Sequence, residues 1–140
     1  MCRWQLQQCW VMAAAALYAQ SAVQLTPEKP SVSIALTEQI RQHVPHVVEV
    51  PVVGVHNPSK VGISISVWLV GSRSSRSLIG SLSLFPADQP GVFRLRCEKA
   101  FAVTAKPSRV ALELKPSIAG QPLTATVTIG ELQWLSDVPK

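Results

Sequence analysis

Three histidines, three cysteines and eight carboxylates are the residues of this 140-residue chain with the means for acid–base, nucleophilic or metal chemistry. His43 and His46 straddle Pro45, so in an extended chain their side chains fall on opposite faces. A zinc or copper site needs three or four converging N, S or O ligands. His46, His56 and Glu49 would have to be assembled for one, and nothing in their spacing demands it. Acid–base work would have to draw on Glu49, Glu98, Glu113 and Glu131, which fall on separate strands and turns and read as solvated residues. No G-x-S-x-G elbow is present, neither Asp88 nor Asp137 has a histidine beside it, and no glycine-rich loop offers to cradle phosphate. The chain is therefore expected to be no enzyme, with no catalytic, cofactor-binding or metal-binding residue.

Cysteine usage agrees. Cys2 and Cys9 lie in the N-terminal segment, which leaves Cys97 alone in the rest of the chain and no internal disulfide to form. Cys97 is in phase with Phe93 and Leu95 and is expected to be a small core hydrophobe. Cys9 does not fit a lipoprotein signal, because its apolar run follows it instead of preceding it.

The elements that carry these residues are strands and turns. Apolar and polar residues alternate in VGISISVWLV (61–70), GSLSLFP (80–86), VFRLRC (92–97), RVALELKP (109–116) and TATVTIGELQW (124–134). A period of two buries one face of each segment and wets the other. Residues 23–33 read as an extended lead-in, because Pro27 and Pro30 oppose a helix. VSIALTEQIRQHV (32–44) fits a strand first, from the alternation of Val32, Ile34 and Leu36, with a short amphipathic helix as the alternative. HVVEVPVVGVH (46–56) continues as strand, and Pro51 calls for an edge position or a bulge. HNPSKVG (56–62) is a turn, GSRSSRS (71–77) a polar hairpin loop, and a single helical turn fits around Lys99–Thr104. Strands spaced in this way predict an all-β fold, an antiparallel β-sandwich or barrel-like domain of about seven to eight short strands.

The N-terminus differs. One arginine and no acid precede an eleven-residue uncharged run, CWVMAAAALYA (9–19), and the small and polar residues AQSA (19–22) follow it. This pattern describes a secretory signal peptide at 1–22, cleaved after Ser21 or Ala22, and the run is too short for a membrane span. The alternative is a helical extension that stays on. Residues 23–140 then form the single β-domain, exported to the periplasm or secreted, with no membrane span after signal removal.

Formal charge is +5, from 13 basic and eight acidic residues. The basic residues are scattered among apolar ones along the sequence, which speaks against nucleic acid as a partner. The candidate interaction surface is Trp68 with Arg94 and Arg96, because each is out of phase with the apolar row of its own strand. A second core over Trp68 is the competing expectation.

Six stretches carry a resemblance in their order: VSIALTEQIRQHV (32–44), VVEVPVVGV (47–55), ISISVWLV (63–70), IGSLSLFP (79–86), VALELKP (110–116) and ATVTIGELQW (125–134). Together they resemble the C-terminal shielding domain of polyphenol oxidases and related tyrosinases, and the closing V-T-I-G at 127–130 is the best single match. Ser64 and Ser66 stand where that family has charged residues in a K-F-D-V-type strand. The family's helical dicopper domain, with its six histidine ligands, has no counterpart among the three histidines here. The resemblance implies a non-catalytic β-sandwich that binds and shields a separate tyrosinase-like copper oxidase. No individual residue is carried over for that role. A free-standing module for a carbohydrate or cell-surface ligand, and a detached fragment of a larger oxidase, are the other readings.

Overall fold

A computed structural model describes residues 22–84, 86 and 88–136. The expected signal peptide lies outside the described residues but for its last position. Among the described residues nine strands run in the order β1 (Val23–Leu25), β2 (Ser31–Ala35), β3 (Val47–His56), β4 (Ile63–Val70), β5 (Arg76–Leu84), β6 (Gly91–Arg96), β7 (Arg109–Pro116), β8 (Thr126–Ile129) and β9 (Gln133–Leu135). Two short helices interrupt them, α1 (Glu38–Gln42) between β2 and β3 and α2 (Glu98–Val103) between β6 and β7. One sheet has the order β1-β8-β3-β6, with β9 also on β3, and the other has the order β2-β7-β4-β5. Every pairing is antiparallel.

The inward rows follow the alternation in the sequence. Ile63, Ile65, Val67 and Leu69 of β4 face Val48, Val50, Val52, Val127 and Ile129 of the opposite sheet in one core, to which Leu82, Val110 and Leu112 also belong. Fully burying a side chain of this kind contributes about 1.5–3 kcal/mol, so these rows decide how the sheets face each other. Cys97 is wholly buried in the same core, as its phase with Phe93 and Leu95 predicts.

Two additional short strands raise the count above the expected seven to eight. Val23–Leu25, read from sequence as a lead-in, pairs with Val127–Ile129. The last predicted strand (124–134) is broken in two, with β8 pairing with Val52–His56 of β3 and β9 with Val47–Glu49. The break falls at Gly130, whose N–H donates to the Pro51 carbonyl at 2.8 Å. A Cβ on Gly130 would come within 3.2 Å of both the Pro51 ring and Val53. In an antiparallel ladder a residue's N–H and C=O point to the same neighbour, so the N–H that Pro51 lacks would face this gap. The proline therefore costs no ladder bond to β6, and β3 stays an interior strand. The alternative of a bulge also holds, since the register with β8 shifts between Val52 and Gly54.

Residues 32–44 contain both expected structures in succession. The alternating part forms β2, and Thr37 then caps α1, its side chain accepting from the Ile40 N–H at 3.4 Å. Glu38 in the first turn pairs with Arg41 at 2.7 Å. The helical turn expected near residue 99 is α2, which buries Ala100 and Phe101.

At one end of the second sheet the β4–β5 loop packs on the α2–β7 loop. Ser72 N–H donates to the Ala105 carbonyl (2.9 Å) and Ser108 N–H to the Val70 carbonyl (2.9 Å). A side chain at Gly71 would overlap the Ala105 carbonyl oxygen and come within 2.8 Å of Thr104 Cγ2. Gly71→Ala is therefore expected to destabilise the fold by about 1–3 kcal/mol. At Gly54 an added Cβ meets only Thr128 at an ordinary 3.7 Å, so Gly54→Ala should shift a urea midpoint much less.

Candidate functional site

The groups with chemical potential are dispersed by the fold. His46 and His56 sit at opposite ends of β3, about 30 Å apart at ~3.3 Å per residue. His46 Nδ1 is 2.8 Å from Glu98 Oε2, and Glu49 Oε1 accepts from Arg94 Nε at 2.8 Å. His43 closes α1. Among the described residues no group of three or more His, Cys, Asp or Glu side chains could hold a metal ion. No helix among them is long and apolar enough to cross a membrane.

Cys97 has its Sγ 3.5 Å from the Pro45 carbonyl oxygen. Burial, opposed in part by a backbone hydrogen bond and aided by the Glu98 charge, pushes its thiol up from 9.0 to about 12. The thiolate needed for nucleophilic chemistry is thus suppressed.

The three residues singled out from sequence divide between the sheets. Trp68 lies on the outer face of β4, while Arg94 and Arg96 lie on the outer face of β6 in the other sheet. Arg94 pairs with Glu49 on the neighbouring strand. Arg96 faces β5, the strand that pairs with β4. Leu78 is the cross-strand neighbour of Trp68, and with Ile79 it lines a cleft of about 270 Å³ whose other wall is Arg96, Glu98, Lys99 and Ala100. This cleft marks one seam of the sandwich, where β5 and β6 meet without a ladder between them. The register of β4 with β5 shifts between Val67 and Trp68, which leaves Ile79 as the additional residue beside the cleft.

Sequence reasoning missed the partner of Trp68. The Arg76 guanidinium carbon stands 3.9 Å from the centroid of the indole ring, a cation–π contact. The Trp68 Nε1 is buried without a hydrogen-bond partner, as is the Ser75 hydroxyl. Val70 is paired with Arg76 on one side and Arg109 on the other. Directly opposed residues share a face, so the two arginines flank β4 on its outer surface, about 10 Å apart across two strand spacings. The bonded loops beyond them carry Arg73 and Lys106, both exposed and both at positive φ (56° and 46°). Such backbone costs of order 1–3 kcal/mol and persists where the surroundings impose it. The ion pairs formed among the described residues, Arg41–Glu38, His46–Glu98 and Arg94–Glu49, leave these four cations without an acidic partner. Half-exposed Leu78 completes the patch.

With its thiol raised, Cys97 should resist maleimide or disulfide reagents in the native protein near neutral pH and react fully in denaturant, as peptide mapping would register. Between about pH 9 and 12 the unfolded chain has lost this proton and the folded one retains it. Stability is then expected to fall with rising pH in that window, a loss that Cys97→Ala would remove from alkaline unfolding curves.

No protein-family model matches this sequence, and no curated protein matches it at a significant level. Among solved structures the chain is similar to a recombinantly expressed latent aurone synthase (polyphenol oxidase), with 11% identity and a TM-score of 0.44, over 79% of this chain and 24% of that one. It is also similar to the C-terminal family 22 carbohydrate binding module of Clostridium thermocellum Xyn10B, with 12% identity and a TM-score of 0.42, over 77% of this chain and 66% of that one. A third similarity is to PirA, with 12% identity and a TM-score of 0.39, over 78% of this chain and 89% of that one. The chain spans about a quarter of the polyphenol oxidase chain, 24% of its length. The weak structural similarity to polyphenol oxidase goes with the antiparallel β-sandwich and with no shared sequence family.

Proposed function

We propose that this chain is a non-catalytic, exported protein-binding module that docks an acidic segment of a partner protein on the outer face of β4 and β5. The observation that carries the reading is the convergence of Arg73, Arg76, Lys106 and Arg109 around Trp68 and Leu78, with no carboxylate paired to any of them. Arginine, tryptophan and an exposed leucine are the side chains that anchor protein interfaces. The charge calls for a negative partner, whose approach it would also steer.

The partner this reading favours is a separately encoded tyrosinase-like copper oxidase, which the module would shield. Support for that step comes from the sequence, through the order of the six strand stretches and the closing V-T-I-G at 127–130. The polar, alternating surface needs no active site to act in this way.

The test is association of the purified chain with a tyrosinase-like oxidase from the same source, followed by biolayer interferometry and by the rate of phenol oxidation. Binding should lower the oxidation rate, weaken with added salt, and fall about tenfold or more in an Arg76→Glu/Arg109→Glu variant. Arg94→Glu, whose partner is Glu49, should bind as the parent does. Absence of association, or equal competition by single-stranded DNA and by a sulfated glycan, would overturn the assignment.

A further inference from the structure

The opposite seam of the sandwich holds a second cavity. It opens where β1 and β2 face each other without a ladder, one in each sheet. An inner lobe of about 340 Å³ is walled chiefly by Val23, Ile34, Leu36, Ile40, Leu132 and Trp134, with the exposed Glu131 also on its lining. It adjoins an outer lobe of about 260 Å³ through a shared wall of Thr37, Ile40, Leu132 and Trp134. The outer lobe is polar, with Gln39, His43, Gln133 and Ser136 on its lining. Helix α1 forms one side of both lobes yet buries none of its own residues. It stands over the seam and does not fill it. Trp134 is fixed edge-on against Phe101, with ring centroids 5.9 Å apart and an interplanar angle of 83°, so the far wall is rigid.

We propose that this two-lobed cavity binds a monocarboxylic acid with a medium-length apolar body. The inner lobe supplies what an apolar body needs, and its volume lies in the range of small-ligand pockets, ~300–1,000 Å³. The outer lobe supplies the head-group chemistry. Its amides, hydroxyls and imidazole can all donate, and none of its lining residues is a carboxylate. A carboxylate, which only accepts, is satisfied by such a set. An ammonium head would find no opposite charge in that lobe, since Glu131, an exposed carboxylate, lines the inner lobe and not the outer one. The break between β8 and β9 builds the site, because Gly130 to Leu132 lie outside the ladders there and Leu132, with Trp134 of β9, lines both lobes beside α1.

This site is separate from the basic patch on β4 and β5, and it stands whether or not that patch binds a protein. Titration calorimetry of the full chain with decanoate, below its micelle concentration, should give saturable one-site binding. Decylamine should bind at least about tenfold more weakly. Ile40→Trp, which fills the shared wall from a half-exposed helix position, should abolish decanoate binding. Leu132→Phe provides the same block from the β8–β9 connection. His43→Ala should weaken decanoate about tenfold, as loss of one hydrogen bond to a charged group does, and His43→Gln should recover most of it. No saturable decanoate binding, unchanged binding in folded Ile40→Trp and Leu132→Phe variants, or equal affinity for decylamine would overturn the proposal.

Discussion

Everything in this molecule depends on the inner row of β4, Ile63, Ile65, Val67 and Leu69, each at most 2% exposed. The strand has a neighbour on both sides over its whole length, β5 and β7, so its backbone is fully engaged. Its outer row is also sheltered, since Ser66 is buried and faces Ser81, their hydroxyls 3.4 Å apart. Trp68 stands farther along that row, where Arg76 covers one face of its ring. The fold's most central strand thus presents its largest outward side chain beside its most basic edge.

The two sheets do not close into a barrel, and the clefts at the two seams follow from that. Each sheet ends in strands with one free side, which a β protein must cover or blunt. At the β5–β6 seam α2 performs the covering, with Ala100 and Phe101 buried in the core. At the β1–β2 seam α1 covers without packing down, and space remains beneath it. The same architectural need is met tightly on one side and loosely on the other. The looser side has the larger cavity.

The strands were legible because a half-buried sheet imposes a period of two, and 63–70, 109–116 and 91–96 lie within one or two residues of the alternating runs. Cys97 was legible for the same reason. Short strands such as β1 and β9 were not, because three residues hold no period, and their pairing with β8 and β3 is decided by long-range geometry. Of the surface residues singled out from alternation, Trp68 is covered by Arg76, Arg96 lines the β5–β6 seam, and Arg94 is occupied by Glu49. Alternation says that a side chain points outward and is silent on which sheet carries it.

The sequence by itself determined the class of fold, the inert character of its cysteine and the dispersal of its histidines and carboxylates, because each depends on local phase and residue type. Only the tertiary structure decided where the charge and the cavities lie. Arg73, Arg76, Lys106 and Arg109 look scattered along the chain, yet the antiparallel register sets Arg76 and Arg109 on either side of Val70 and the bonded loops add the other two. Likewise, the residues at 23, 34, 40 and 134 meet only because two sheets remain open at one seam. Sites of this kind are made by the pairing of distant strands, and register between strands is fixed by the packed core as a whole.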